Sequence, residues 1–145
     1  MRGLTLTFSL VALALAASGC NALFPSRHQS DDDLRKNTEI AGQLARTWSA
    51  LPDVAQVDAE YIDDTDRVSN MRADVRCDGC DEEKLADRLV DDIWSSELSP
   101  LVNITVQVFD DAGSSKSALR VFSTHSDADE LNQKHGERPA GTELE

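Results

Sequence analysis

The same order of elements occurs twice in the central part of the chain, and this repetition limits the folds that it can form. Leu51-Pro52 follows a stretch of helical periodicity and precedes an alternating stretch that ends in Tyr61-Ile62-Asp63-Asp64. Ser99-Pro100 follows a second helical stretch and precedes a strand-like run that ends in Val108-Phe109-Asp110-Asp111. In each half the proline ends a helix, and the paired aspartates favour a turn before a further strand. The two halves therefore predict the element order αββαββ.

Two segments have the periodicity of amphipathic helices. The first covers Asp31–Leu51, and its three leading aspartates suit the positive end of the helix dipole. The second begins after Asp81, which can cap it, and runs to about Leu98 with the widest apolar stripe in the chain. Trp48 and Trp94 lie on these stripes, and we expect both of them to pack in the core.

Four segments have strand-like patterns, either alternating or rich in β-branched residues. They cover about 57–61, 71–76, 101–109 and 119–122. A sheet that is apolar on one face requires helices on that face. We therefore predict an α+β fold with a four-stranded antiparallel sheet and two helices on one face. Its order αββαββ is a circular permutation of the ferredoxin-like βαββαβ.

The first twenty residues have the composition of an export signal. Met1-Arg2 gives a short positive region, and residues 4–17 form an uncharged, mostly apolar run. At about 14 residues, this run is shorter than the about 20 that a membrane-spanning helix needs. Its length fits the apolar region of a secretory signal peptide. The run leads into Ala17-Ser18-Gly19-Cys20.

The segment Ala17–Cys20 resembles the lipobox of bacterial lipoproteins, in which small residues precede a cysteine that is diacylglycerylated after export. The resemblance covers residues 1–20, with Ala17 where the family most often has leucine. It implies that Cys20 carries lipid and holds the protein at the extracytoplasmic face of the cell membrane, since two acyl chains anchor a protein stably. The alternatives are an ordinary signal peptide cut near Ala17 and an uncleaved membrane segment.

These features divide the chain into four parts. Residues 1–19 are the predicted signal peptide, 20–30 the lipidated N-terminus and tether, 31–123 the α+β domain, and 124–145 an acidic tail expected to be disordered. The formal net charge is −13, from 27 acidic and 14 basic residues. Nucleic-acid binding requires a dense basic face, so we expect no nucleic-acid partner. Lipid, rather than surface charge, is expected to attach this chain to the membrane.

Cys77 and Cys80 form the motif with the clearest chemistry of its own. Outside the cytosol such a pair usually oxidises, and the spacing permits a disulfide. A C-x-x-C before a helix is also where thioredoxin-like proteins keep redox-active thiols. Here Arg76 replaces the aromatic residue expected before the first cysteine, and nearby acids such as Asp78 and Asp81 oppose a thiolate. The sequence predicts a structural disulfide, with thiol–disulfide exchange as the alternative.

Metal binding is a further alternative for the same thiols, because small copper-carrying domains place C-x-x-C at a strand–helix junction. The methionine usual two residues before the first cysteine is replaced here by Val75. A tetrahedral zinc site would need two more ligands. His28, His125 and His135 lie in the predicted tether or tail, outside the predicted core. We therefore predict no metal site.

The acidic segment Asp63-Asp64-Thr65-Asp66 raises the question of calcium binding. An EF-hand loop is excluded, because Val68 and Ser69 occupy positions where an oxygen ligand and glycine are expected. Turn formation explains the cluster, since aspartates favour turns by bonding to their own backbone. We predict no calcium site.

The sequence contains no nucleophile-elbow, zinc-protease, phosphate-loop or dinucleotide-binding motif. We therefore predict a lipid-anchored cell-envelope lipoprotein that is not an enzyme, needs no cofactor, and acts by binding or scaffolding an envelope protein or peptide. The main alternative is an envelope thiol–disulfide oxidoreductase that uses Cys77 and Cys80. A metal carrier that uses the same two thiols is the second alternative.

Overall fold

The computed structural model describes residues 29–64, 68–111 and 117–142. The fold is α+β, and the elements from α1 to β4 follow the predicted order αββαββ. The elements are α1 (Asp31–Ser49), β1 (Val54–Asp64), β2 (Val68–Cys77), α2 (Glu82–Trp94), β3 (Asn103–Asp110), β4 (Ser117–Ser123) and α3 (Ala128–His135).

The four strands form one mixed sheet in the order β1-β2-β3-β4. The pairs β1–β2 and β3–β4 are antiparallel, but β2 and β3 are parallel, so the prediction of an antiparallel sheet is wrong at its centre. The cause is α2, because a strand–helix–strand connection brings the chain back to the end where the first strand began. The two strands that α2 connects are also direct neighbours, whereas another strand separates them in the split βαβ units of a ferredoxin-like fold.

The helices α1 and α2 cover the same face of the sheet, as predicted. Helix α1 packs on β1, and α2 packs on β3 and β4. Trp48 and Trp94 are fully buried, which confirms their expected place in the core. The sheet contributes alternate apolar residues to this core: Met71, Ala73, Val75, Ile104, Val106, Val108, Ala118 and Phe122.

Both large helices begin at side-chain caps. The Ser30 hydroxyl accepts a hydrogen bond from the backbone N–H of Asp33 at 3.2 Å. The Asp81 carboxylate accepts one from the backbone N–H of Lys84 at 3.2 Å, as the sequence predicts. Helix α2 stops before the predicted Leu98, although that side chain is fully buried in the connection to β3.

A third helix, α3, lies in the segment 124–145 that the sequence predicts to be disordered. Leu131 is fully buried, and the Lys134 ammonium lies 3.0 Å from the Asp87 carboxylate of α2. The prediction of two helices and of a disordered tail is therefore wrong for residues 128–135. The segment has a single buried apolar residue, so its order comes from contacts with α2 rather than from its own periodicity.

The predicted signal peptide and the tether up to residue 28, with Cys20 and His28, lie outside the described residues, as does Asp66. No helix of the described part of the chain has the length and apolarity that a membrane span requires. The buried apolar residues that are described all lie between Ala41 and Leu131. A chain that begins at Asn21 therefore retains this core.

Candidate functional site

A disulfide joins Cys77 and Cys80 at the junction between β2 and α2, as predicted. Cys77 ends β2 and is fully buried, whereas Cys80 is partly exposed in the loop before the helix. Gly79 has φ +74°, a conformation that residues with a Cβ adopt at a cost, so it suits the bend between the two cysteines. Cys80 is thus the cysteine of the pair that is partly open to solvent.

Two hydrogen bonds donated by backbone N–H groups of this loop join it to two neighbouring segments. The Asp78 N–H donates to the Asp53 carbonyl at 2.8 Å, and the Gly79 N–H donates to the Asp110 carboxylate at 2.9 Å. Negative charge raises the free energy of a thiolate, so these surroundings oppose the ionised state that thiol exchange requires. The acidic residues in or bonded to the loop and its flanks are Asp53, through its carbonyl, Asp78, Asp110, and two that are ion-paired, Asp81 with Lys84 and Asp111 with Arg76.

Of the residues considered as metal ligands, His125 is exposed in the turn after β4. His135 was predicted to lie outside the core, but only 4% of its side chain is exposed and its Nδ1 lies 3.4 Å from Asp91. That part of the prediction is wrong, because α3 carries His135 onto α2.

Asp63 belongs to the acidic segment that was considered for calcium binding. Its carboxylate accepts a hydrogen bond from the Ser69 hydroxyl at 3.3 Å. Within the described ranges, no three His, Cys, Asp or Glu residues form a group that could hold a metal ion.

The second candidate site is the sheet face opposite α1 and α2, which we call the open face. Residues of the four strands lie there in rows set by the strand registers. In these rows β1 and β2 contribute charged side chains, whereas every side chain that β3 and β4 contribute is uncharged. From β1 to β4, three successive rows are Glu60-Arg72-Thr105-Val121, Asp58-Asp74-Gln107-Leu119 and Gln56-Arg76-Phe109-Ser117.

The arginines of the open face are held by carboxylates. The Nε and Nη2 atoms of Arg72 donate to one oxygen of Asp74 at 3.0 and 2.8 Å. Arg76 donates to Asp111 at 3.0 Å, and its guanidinium lies 5.4 Å from the centre of the Phe109 ring. A groove of about 310 Å³ runs over these residues, with both arginines and two aspartates in its lining. The groove is therefore polar and balanced in charge.

Strand β4 places two apolar residues on the open face. Leu119 is 55% exposed and Val121 is 61% exposed on the open face, while Arg120 lies between them on the side covered by helices. The sequence predicts this strand but not which residues face solvent. A shift of one residue exchanges the two faces of a strand, so the choice depends on what the opposite face contacts. The alternation of Ala118 and Phe122, which the fold buries, is the signal in the sequence that agrees with this orientation.

Arg120 belongs to a charged cluster that joins β4, α2 and α3. Its guanidinium donates to Glu83 and to Asp87, the latter at 2.8 Å, and these bonds raise the pKa of Arg120. Burial alone would raise the pKa of Asp87, but hydrogen bonds from Arg120 and Lys134 outweigh burial, and the pKa is lowered. The inward position of Arg120 is therefore satisfied by carboxylates of α2.

No protein-family model, curated protein or solved structure matches this chain. The geometry offers two places where chemistry or recognition can occur. One is the disulfide loop with its acidic surroundings, and the other is the open face with its charged and apolar halves.

Proposed function

We propose that the protein is a lipid-anchored lipoprotein of the cell envelope whose α+β domain binds a partner through the open face without catalysis. The open face carries this proposal, because in the described part of the chain the helices pack on the other side of the sheet and form the core there. It combines paired charges, a polar groove and exposed apolar residues, the mixture that protein interfaces use.

Two observations support the proposed location in the cell envelope. Cys20 follows a lipobox-like sequence, and a diacyl group there supplies two chains, which hold a protein stably where one does not. The Cys77–Cys80 disulfide fits an oxidising compartment, where disulfides form and persist. A lipid on Cys20 would place the domain outside the cytoplasm but next to the membrane.

The anchoring part of the proposal is tested with Cys20→Ser in the full-length chain. We expect wild-type protein in the membrane fraction and incorporation of a labelled fatty acid, and both should be lost in the variant. Ala17→Leu, which restores the residue most common in lipoboxes, serves as the matched control and should keep both. Membrane attachment and labelling of Cys20→Ser at wild-type levels would contradict anchoring through this cysteine.

The binding part is tested with a photo-crosslinking residue placed at Gln107 on the open face of the full-length protein. The control position is Glu39, which is exposed on α1, the helix layer opposite the open face. We expect a discrete crosslinked product from Gln107 and none from Glu39, and Arg72→Glu should reduce the yield. The same products from both positions, or none from Gln107, would overturn binding through the open face.

A thiol–disulfide oxidoreductase is the second candidate, favoured by the position of the partly exposed Cys80 directly before α2. The burial of Cys77 and the surrounding carboxylates weigh against it. A metal carrier would use the same thiols after reduction. The stability of the disulfide toward reduction therefore bears on both alternatives.

A further inference from the structure

Strand β4 is an edge strand whose exposed surface lacks charge. It ends the sheet, and no strand of the described ranges pairs with its outer side. An edge strand presents unpaired backbone N–H and C=O groups, which makes it a template for another strand. Native proteins commonly protect such edges with charged residues, and β4 has none on its open-face side.

Strand β4 carries apolar residues on both of its faces. The fold buries Ala118 and Phe122 on the side covered by helices, with Arg120 between them. It leaves Leu119 55% and Val121 61% exposed on the open face. Two neighbouring apolar side chains are therefore exposed next to the edge of the sheet.

The two edges of the sheet differ in charge, and this difference indicates which edge a second copy can approach. Strand β1, at the opposite edge, carries Asp58, Glu60, Asp63 and Asp64 and no basic residue. Two β1 strands side by side would bring like charges together, which is destabilising. In β4 the single charged residue is Arg120, which has two carboxylates of its own subunit as partners. In a chain of net charge −13, β4 is therefore the edge where a second copy meets least repulsion.

We infer that a second copy of this chain pairs with β4, strand against strand, about a twofold axis perpendicular to the sheet. Antiparallel pairing about such an axis joins two four-stranded sheets into one of eight strands and keeps the helices on the same side. Leu119 and Val121 of the two copies then lie next to each other on the open face and shield one another from water. This inference rests on the proposed function, since it names the partner of the open face.

The size of the contact predicts a weak association that the lipid anchor strengthens. Pairing one seven-residue strand buries less than the about 800 Å² per partner of a standard interface, so we expect weak binding between free domains. Attachment of both copies to one membrane raises their effective concentration, toward the millimolar range for short tethers. The pairing would therefore operate mainly between anchored copies.

The first test is analytical ultracentrifugation of the chain that begins at Asn21. The protein concentration is raised to about 1 mM, so that the weak dimer expected of a small interface can be populated. We expect a mass that rises toward that of a dimer. Val121→Lys should raise the dissociation constant at least about tenfold, because lysine protects edge strands. Gln56→Lys makes the same charge change on the open face at the β1 edge and should leave the constant within about threefold of wild type, which is about 0.65 kcal/mol. Circular dichroism checks that both variants are folded.

The second test uses the full-length lipoprotein in its membrane, with Val121→Cys and the matched variant Glu60→Cys on β1. With Cys77 and Cys80 paired and Cys20 acylated, the introduced thiol is free to react with a short bis-maleimide. We expect a product of twice the monomer mass from Val121→Cys and none from Glu60→Cys.

A monomer at every concentration together with no dimer-sized product from Val121→Cys would overturn the inference, as would equal loss of association in Val121→Lys and Gln56→Lys. If Gln107 still crosslinks to a protein of another mass, the open face binds a different partner, and the proposed function stands without self-pairing. If Gln107 gives no product and the chain is monomeric, both fail.

Discussion

The indole Nε1 of Trp94 donates a hydrogen bond to the carbonyl oxygen of Gly136, 2.7 Å away, and so joins the last residue of α2 to the residue that caps α3. The Arg138 guanidinium lies 5.0 Å from the Trp94 ring and donates to the carbonyl of Leu98. Burial lowers the pKa of Arg138 to about 10. The C-terminal segment is therefore an integral part of the domain.

Removing this segment should destabilise the domain. A chain that ends at Asp127 loses the buried Leu131 and uncovers Trp94, and burial of one leucine side chain alone stabilises by about 1.5–3 kcal/mol. We expect a fall of at least about 2 kcal/mol in the free energy of unfolding, measured with urea. A chain that ends at Thr142 keeps the contacts described here and should match wild type. Equal urea midpoints for the two truncated chains would show that α3 contributes nothing.

The hydrogen bond of Trp94 should control the local opening of α3. Trp94→Phe removes the donor, and loss of one such bond costs about 1 kcal/mol, or about fivefold in an opening equilibrium. We expect faster amide hydrogen exchange in residues 128–135. Trp48→Phe is the matched control, because Trp48 is equally buried but donates to Asp92 at 2.8 Å and so joins α1 to α2. Equal acceleration of α3 exchange in both variants would contradict a specific role of the Trp94–Gly136 bond.

The sequence predicts what periodicity and local chemistry encode. The apolar stripes and the Asp81 cap place α1 and α2, and alternation or β-branched composition finds all four strands. The parallel pair of β2 and β3 was missed because alternation within a strand does not reveal the direction of its neighbour. The connection through α2 does determine that direction, and it was available in the predicted order. The disulfide was predicted because the spacing of Cys77 and Cys80 permits it.

The remaining differences depend on contacts between distant parts of the chain. Leu131 is the one buried residue of α3, and its burial requires the surface that α2 supplies. For the same reason, the sequence pattern predicts a tail at His135, where the structure has α3. The outward position of Val121 depends on Glu83 and Asp87, which hold Arg120 on the other side of β4. These carboxylates lie more than thirty positions away in sequence, beyond the range of a periodicity argument.

Asp87 should make stability depend on pH. Its folded-state pKa is lowered, mainly because hydrogen bonds from Arg120 and Lys134 outweigh the opposing effect of burial. A carboxylate with a lowered folded pKa stabilises fully above its unfolded pKa of about 3.9, and this contribution disappears as the pH falls through the folded value. Asp87→Asn should thus cost about 0.5–1 kcal/mol at pH 7, a modest value because the pair is partly exposed and screened. The cost should shrink toward zero below about pH 3.9.

Urea midpoints at pH 7 and pH 3 measure this effect, and Asp58→Asn, at an exposed position of the open face, is the control. A cost of Asp87→Asn that is the same at both pH values would show that the loss comes from packing rather than from the charge.

The disulfide should resist reduction. Buried Cys77 and the carboxylates around the loop disfavour the thiolates of the reduced form, and stabilisation of the reduced form is what gives a disulfide a high reduction potential. We expect a potential below about −300 mV for the chain that begins at Asn21, measured by equilibration in thiol buffers, alkylation and intact mass. In the variant Asp78→Asn the potential should rise, because an opposing charge of the loop is removed. A wild-type value of about −200 mV or higher would mark an exchangeable pair and transfer the proposed function to Cys77 and Cys80.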